Sequence, residues 1–407
     1  MNLFNYAMHV KSMSKLSWVN DALRELKETG RYVPIRVLET GQGAWVKIEG
    51  RSVLNLCSNN YLGYADHPEV KKAAIEAIEE YGVGAGAVRS IAGTNILHQK
   101  LEQVVAEFKH AEASLSFQGG LLANLGTLPV LAGKEDVVFS EELNHASIID
   151  GLRLSGAKRY VYRHLDMNDL RNQLKEHRRE GKRALIVTDG VFSMDGDIAP
   201  LKEIAELGEE FEAMVYVDDA HGEGVLGDHG RGIVDHFSLN GRVDIEMGTF
   251  SKAIGSMGGF VAGGAELIEL LKQRARPFLF SSALNPGDVA AVIKSIELMK
   301  KDDAPLKKLW NNAALLKKGL QEAGFNTGKS KTPITPVMIG DEKKTVEMSV
   351  SLYKKEILAS PIVYPTVPQG TARIRLMPSA VHTEEDIDMA VQAFRTAGKE
   401  ISVPGVV

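Results

Sequence analysis

Residues 246–263, EMGTFSKAIGSMGGFVAG, place one lysine between an extended run and a cluster of small residues. Burying a lysine is costly, yet the glycines that follow Lys252 indicate a closely packed pocket wall rather than a solvated surface. A Walker-type phosphate loop needs its lysine after the glycines and before Ser or Thr, whereas Lys252 precedes them and is followed by Ala253. From these residues alone, an ordinary surface lysine in a loop is the simpler interpretation, so the function of Lys252 depends on the rest of the chain.

Composition limits the class of protein. The chain has 407 residues, 44% of them hydrophobic and 25% charged, which is typical of a globular protein with two or more domains. A net charge of −5 disfavours nucleic acid and anionic membranes as partners. Cys57 is the only cysteine, which suits a reducing compartment. The first residues lack a signal-peptide pattern, and no run approaches about 18 apolar residues, so we expect a cytoplasmic protein.

The order of local patterns predicts the fold class. Short β-rich runs alternate with helical runs between about residues 55 and 290, and the seven predicted strands are ASLSF, DVVFS, KRYVYR, ALIVTD, AMVYVDD, VDIEMGTF and GGFVAG. This alternation indicates an α/β fold with a mostly parallel sheet, whose ligands bind beyond the carboxyl ends of the strands. We predict an N-terminal arm (1–54), a large domain (55–295) and a smaller α+β C-terminal domain (296–407).

The segment VYVDDAHGEGVLG (215–227) carries a second candidate site, because Asp218 and Asp219 close an apolar run and His221 follows. With His145, these side chains suggest the metal site of a metal-dependent hydrolase. The alternative is a carboxylate that holds the protonated ring nitrogen of an organic cofactor. The chain lacks HExxH and any Cys/His array, which disfavours the metal. An aspartate after one strand and Lys252 after another suit pyridoxal 5'-phosphate (PLP), with the lysine as Schiff-base partner.

Four other segments contribute candidate residues. Paired glycines in SFQGGLLANLG (116–126) precede a helical run and suit a phosphate held by backbone N–H groups. ELNHASIIDG (142–151) places a histidine at a predicted helix start, and TDGVFSMDGDIAPL (188–201) places a serine just past a strand. In GTARIRLMPSAVHT (370–383), Arg373 and Arg375 lie on one face of a predicted strand and suit a substrate carboxylate.

Together these segments resemble the motifs of the α-oxoamine synthases, PLP enzymes of fold type I. The resemblance runs from about residue 20 to the end of the chain. The motifs that carry it, in family order, are CSNNYLG, LNHASIIDGLRL, TDGVFSMDGDIAPL, VDDAHG, GTFSKAIG, ARPFLFSSAL and PTVPQGTARIR.

The resemblance implies roles for residues around the cofactor ring. Lys252 would form the Schiff base, Asp218 would hold the pyridine nitrogen, and His145 would stack on the ring and adjoin the substrate. His221 and Ser193 would contact the ring oxygen. Of these five, the resemblance makes Lys252, His145, Asp218 and His221 the catalytic group.

The resemblance also implies how phosphate and substrate bind. Gly120 and Leu121 would hold the phosphate through backbone amides, and the side chains implied in the same role are Thr249, Ser251, Ser281 and Ser282. The last two would come from the second subunit of a homodimer with shared sites. Arg375 would bind the amino-acid carboxylate, with Asn59 nearby.

The closest resemblance within the family is to the glycine C-acetyltransferases, which condense glycine with acetyl-CoA to 2-amino-3-oxobutanoate and CoA. The alternative is the 8-amino-7-oxononanoate synthases, which condense alanine with a pimeloyl thioester and release carbon dioxide, or a mixed specificity. Relatives acting on long acyl chains can carry another arginine near SPIVYPTVP (360–368), where this chain has none, so serine palmitoyltransferase is disfavoured. An inactive scaffold subunit would lack Lys252.

Overall fold

A computed structural model describes residues 15–29, Tyr32 and residues 35–406; the remainder of the predicted N-terminal arm lies outside the described residues. The helices are α1 Ser17–Glu28, α2 Pro68–Tyr81, α3 Ile96–Phe108, α4 Gly120–Leu131, α5 Ala146–Ser155, α6 Met167–His177, α7 Leu201–Glu210, α8 Ile233–His236, α9 Ala265–Arg274, α10 Arg276–Phe280, α11 Pro286–Lys301, α12 Ala304–Glu322, α13 Glu342–Lys354 and α14 Glu384–Ile401. Within the described part of the chain, no helix is both long enough and apolar enough to cross a bilayer.

The strands form three sheets. They are β1 Trp45–Ile48, β2 Arg51–Asn55, β3 Ala113–Phe117, β4 Val137–Glu141, β5 Lys158–Tyr162, β6 Ala184–Asp189, β7 Met214–Asp218, β8 Ile245–Thr249, β9 Gly259–Gly263, β10 Thr335–Gly340, β11 Ile357–Leu358, β12 Ser360–Ile362 and β13 Ala372–Leu376. The largest sheet has seven strands in the order β3-β9-β8-β7-β6-β4-β5, and all seven correspond to predicted strands. The predicted α/β fold of type I, with a mostly parallel sheet, is therefore confirmed.

Strand β9 is the exception to the parallel arrangement, since it runs antiparallel to both β3 and β8. Its connection from β8 comprises only residues 250–258, whereas a crossover to a parallel strand needs about a dozen residues or more. The short return loop carries Lys252. Its length therefore keeps the lysine directly beyond the carboxyl end of β8.

The central strands are buried because helices cover both faces of the sheet. Every residue of β6 is buried. Successive side chains of a strand point to opposite faces, and accordingly Ile186 packs into one hydrophobic core while Leu185 and Val187 pack into another. The run of apolar residues in this strand is thus explained by two cores that share one sheet.

A smaller C-terminal domain is built on two three-stranded sheets. Strand β13 lies at the centre of the antiparallel sheet β10-β13-β12, and β2 lies between β1 and β11. Strand β2, at the end of the predicted arm (1–54), therefore pairs through Leu54 and Asn55 with β11 of the C-terminal part, and β1 joins the same sheet through β2. The predicted division between residues 295 and 296 falls inside α11.

Candidate active site

A cavity of about 200 Å³ lies at the carboxyl edge of the large sheet. Nine of the residues singled out in the sequence line it: Gly120, Leu121, His145, Ser193, Asp218, His221, Thr249, Ser251 and Lys252. These residues come from five connections, four of them between a strand and a helix and the fifth the loop between β8 and β9. The large sheet brings them together because its parallel strands end at one edge.

The start of helix α4 forms one wall of the cavity. Its N-cap, Gly119, offers no side-chain cap, so the first backbone N–H groups of the helix are available to an anion. A Cβ at Gly120 would lie 3.0 Å from Met247 Cε, and a Cβ at Gly259 would lie 2.8 Å from the Gly120 nitrogen. Glycines therefore keep this wall close to the sheet. The hydroxyls of Thr249 and Ser251, 2.8 Å apart, complete a cradle that fits a phosphate group.

Asp218 is buried and held by two donors. Its Oδ2 accepts a hydrogen bond from the Asn124 amide at 2.8 Å, and its Oδ1 accepts one from the Ala220 N–H at 3.1 Å. The hydroxyl of Tyr216 in turn donates to Asn124 Oδ1 at 2.6 Å. A carboxylate oriented in this way can accept a further N–H from a cofactor ring. Asn124 was not predicted from the sequence, because it lies on a helix far from Asp218 along the chain.

Two histidines face the cavity with lowered pKa values. Burial, followed by the nearby Lys252 and Arg375 charges, lowers the pKa of His221 well below its usual value. Its Nδ1 lies 2.8 Å from the Tyr61 hydroxyl, a partner that the sequence did not indicate. His145 is more exposed to the open side of the cavity, but partial desolvation of its ring also lowers its pKa, against the opposite effect of Asp218. Both imidazoles are therefore favoured in the neutral form.

Lys252 lies in the loop between β8 and β9. Burial lowers the pKa of its amine, and the Asp218 and Asp189 carboxyls act in the opposite direction. Gly255, with φ of 78°, turns this loop where it packs on the segment from Tyr64 to Ala65; a Cβ there would lie 2.4 Å from the Ala65 nitrogen. The loop thus holds a desolvated amine, the form in which lysine acts as a nucleophile.

Asp189 also lines the cavity, although it was not among the residues predicted from the sequence. It ends β6 directly beside Asp218, its partner in the strand register. Burial and the Asp218 charge raise the pKa of its carboxyl well above the usual value. Its Oδ2 accepts a hydrogen bond from the His145 N–H at 2.9 Å. An acidic residue that closes a buried strand was the signal used for Asp218, and the same signal could have found Asp189.

Four of the residues implied by the family resemblance do not line the cavity. Arg375 donates to Asn59 Oδ1 and to the Ser193 carbonyl, each at 3.1 Å, so Arg375 and Asn59 lie together beside Ser193. Ser281 and Ser282 follow α10, and the backbone of Ser282 pairs with Val88. The Ser282 side chain is exposed.

The predicted metal ligands do not form a metal site. Asp218, His221 and His145 are near one cavity, but Asp219 is directed away to the Lys109 ammonium, 3.7 Å from its Oδ2. Across residues 15–29, 32 and 35–406, no group of three His, Cys, Asp or Glu side chains is arranged to hold a metal ion. The metal-hydrolase interpretation therefore lacks the ligand set that it requires.

Comparison with protein families and sequences gives a consistent result. The family described as aminotransferase class I and II matches residues 51–394. A protein of Thermosipho melanesiensis named 8-amino-7-oxononanoate synthase is 54% identical over 98% of this chain and 100% of its own length. One of Fervidobacterium nodosum with the same name is 55% identical over 95% and 98%. These names match the alternative stated from the sequence and not the expected glycine C-acetyltransferase.

Solved structures share the fold. Serine palmitoyltransferase from S. paucimobilis with a bound PLP–myriocin aldimine superposes with a TM-score of 0.90 at 33% identity, over 96% of this chain and 99% of that one. An 8-amino-7-oxononanoate synthase from Francisella tularensis gives a TM-score of 0.74 at 26% identity, over 86% and 98%. Fold and cofactor class therefore agree with the cavity described above.

Proposed function

We propose a specific reaction for this chain, which belongs to the class I and II aminotransferase family and, within it, to the PLP-dependent α-oxoamine synthases. The reaction is the condensation of alanine with a pimeloyl thioester to 8-amino-7-oxononanoate, with loss of CoA and of the alanine carboxyl carbon as carbon dioxide. The observation that carries the proposal is the 54% identity, over 98% of the chain, to a relative of that name.

The cavity residues fit the cofactor. The start of α4, together with Thr249 and Ser251, would hold the phosphate. Asp218 would pair with the ring nitrogen, and the Lys252 amine would bond covalently to the aldehyde carbon of the cofactor. Bound there, PLP supplies an electron sink for negative charge at the amino-acid Cα.

The protein groups then act on the substrate. Arg375, oriented by Asn59 and the Ser193 carbonyl, would bind the carboxylate of the amino acid. The Lys252 amine, whose pKa burial lowers, is the base placed to accept the Cα proton. Burial raises the pKa of the Tyr61 hydroxyl, so this group keeps its proton and can donate to His221 Nδ1. The Nε2–H of His221 then serves as a donor towards the cavity.

A second cavity supports a long, acidic acyl group over acetyl. It has a volume of about 530 Å³, and its lining includes Cys57, Val350, Leu358 and the guanidinium-bearing Arg36. The positive charges of both Arg36 and Arg375 act on the Cys57 thiol and oppose the effect of burial on its pKa. Ser360, which lines the cavity, lies opposite Arg375 in the pairing of β12 with β13, so the cavity adjoins this arginine. Its lining combines apolar side chains with polar ones such as Asn55 and Ser349, and Arg36 supplies a cation. Such a space suits an aliphatic chain that ends in a second carboxylate, and an acetyl group would leave it unused.

A CoA-release assay tests the proposal by combining alanine or glycine with pimeloyl-CoA or acetyl-CoA. We expect the highest kcat/KM for alanine with pimeloyl-CoA, and one carbon dioxide released per CoA.

Arg36→Ala should lower kcat/KM for pimeloyl-CoA by about 10- to 100-fold, which corresponds to the loss of one hydrogen bond to a charged group. The kcat/KM for acetyl-CoA should not change.

Arg51→Ala is the matched control for Arg36→Ala. Both guanidinium groups lie over the Tyr353 ring, at 4.6 Å for Arg36 and 5.5 Å for Arg51, but only Arg36 lines the second cavity. Equal losses of kcat/KM for pimeloyl-CoA in the two variants would contradict the role proposed for Arg36. A higher kcat/KM for glycine with acetyl-CoA would overturn the proposed reaction in favour of glycine C-acetyltransferase.

A further inference from the structure

The loop that carries Ser193 belongs to the large domain and contacts the small one. We call residues 190–199 the Ser193 loop; it leaves β6 and is closed by an antiparallel bridge between Val191 and Ile198. Ser193 lines the cavity on one side. The tip of the loop, from Met194 to Gly196, contacts the small domain on the other.

Strand β13 holds this loop through its two arginines. Arg375 donates to the Ser193 carbonyl at 3.1 Å. Arg373, two residues earlier and on the same face, donates to the Met194 carbonyl at 3.4 Å and forms an ion pair with Asp195. Arg373 is 4% exposed, so this ion pair is largely shielded from solvent on the arginine side. Alternate residues of the strand thus engage successive residues of the loop.

A second part of the small domain holds the same tip. The Thr332 hydroxyl and the Lys331 N–H both donate to the Gly196 carbonyl at 3.1 Å. Gly196 has φ of 76°, and a Cβ there would overlap the Ser330 hydroxyl. The tip is therefore clamped between β13 and the segment 330–332. A side chain at position 196 would separate the two.

We infer that Arg373 and Asp195 are a positioning pair that sets the location of the Arg375 guanidinium relative to the cavity. Arg375 comes from the small domain, whereas its partners Asn59 and Ser193 lie on the large-domain side of the cavity. A displacement of β13 along the loop would change three distances together: Arg375 to Asn59, Arg375 to the Ser193 carbonyl, and Arg373 to Asp195. Binding of a carboxylate requires the Arg375 guanidinium to be held to within about 0.5 Å. The neighbouring ion pair between Arg373 and Asp195 fixes the position of β13 along the loop and, with it, the position of this guanidinium.

The inference rests on the proposed role of Arg375 and is tested by a double-mutant cycle. Asp195→Asn, Arg373→Gln and the double variant should each raise KM for the amino acid by about tenfold and change KM for the thioester by less than about twofold. The double variant should be no worse than either single one, because one interaction is lost in all three. Asp195→Glu, which keeps the carboxylate, should recover most of the loss.

Asp150→Asn is the matched control, since Asp150 forms an exposed ion pair with Arg153 inside one helix. Amide hydrogen exchange on the cofactor-free protein gives a readout independent of turnover. Residues 192–196 should exchange faster in Asp195→Asn than in Asp150→Asn.

Three results would overturn the inference: unchanged exchange, an unchanged amino-acid KM, or a double variant whose amino-acid KM rises additively, by about a hundredfold. A wild-type protein inactive with alanine and pimeloyl-CoA would instead contradict the proposed function, while the exchange result would still decide the pair.

Discussion

Lys252 and Asp218 follow neighbouring strands of the large sheet, which is why their side chains reach one cavity. Each depends on a residue elsewhere in the chain. Asp218 is oriented by Asn124, and Lys252 by the close approach of its loop to Tyr64 and Ala65. Single residues at this site are therefore set by contacts that are distant in sequence.

Lys252→Ala is the prediction at the scale of the residue. If Lys252 attaches the cofactor, borohydride reduction followed by peptide mapping should label Lys252 in the wild type and no peptide in the variant. Turnover should be lost as well, because the same amine is the proposed base. Lys182→Ala, at an exposed lysine paired with Glu135, should retain the label. A label on any other lysine of the wild type would refute the assignment.

At the scale of elements, the end of α3 meets the end of β7 and the start of β8 in a buried charged cluster. Lys109 Nζ lies 2.8 Å from Glu246 Oε2 and 3.7 Å from both Asp219 Oδ2 and Glu223 Oε1. Burial raises the pKa of Asp219 to about 7 and that of Glu223 to about 8, although Lys109 acts in the opposite direction. One ammonium cannot balance three carboxylates, so part of the cluster retains protons.

This cluster predicts the pH dependence of stability. Because the folded pKa values are raised, the folded chain keeps protons that the unfolded chain releases. The free energy of unfolding should therefore fall as pH rises from about 5 to about 8. In Glu223→Gln the slope should be smaller by up to about 1.4 kcal/mol per pH unit. Urea unfolding at several pH values measures it, with Glu347→Gln, an exposed partner of Lys343, as control. Equal slopes in Glu223→Gln and the wild type would contradict the assignment.

At the scale of the whole molecule, side chains at the start of α4 and at the end of α10 face solvent. Leu121, which lines the cavity, is 53% exposed, Phe280 is 68% exposed, and Ser282, two residues later, is exposed. The resemblance to α-oxoamine synthases assigns Ser281 and Ser282 to the phosphate of a second subunit. Exposure of this region in a single chain is consistent with a homodimer that covers it.

Subunit complementation tests the shared site. We predict that Lys252→Ala and the double variant Ser281→Glu/Ser282→Glu are each inactive, the second because two carboxylates would repel the phosphate. Mixed and reassembled subunits should regain about a quarter of wild-type activity, since half of the random dimers contain one intact site. Retained cofactor absorbance should rise in parallel. No recovery in dimers confirmed by light scattering would place all site residues within one chain.

Several features follow from local patterns in the sequence. Short β-rich runs, which alternate with segments of helical periodicity, predict the seven strands of the large sheet and their helices. Parallel strands share a carboxyl edge, so Asp218 and His145 could be assigned to one site before any coordinates. The motifs around Lys252 indicated the PLP-dependent family, and the family comparison confirms it. The preferred substrates, glycine and acetyl-CoA, are not supported by the names of the relatives.

The sequence by itself determined the fold class and the cofactor chemistry, because both depend on patterns that are repeated or contiguous along the chain. Only the tertiary structure decided the antiparallel β9, the Asn124 and Tyr61 partners, and the pairing of Arg373 with Asp195. By strand periodicity alone, Arg373 and Arg375 are equivalent members of one strand face, and only the family resemblance assigned the carboxylate to Arg375. The position of the Ser193 loop separates their roles, since it places a carboxylate against Arg373 and a carbonyl against Arg375. Such contacts join residues far apart in the chain, and their distances depend on how two domains pack.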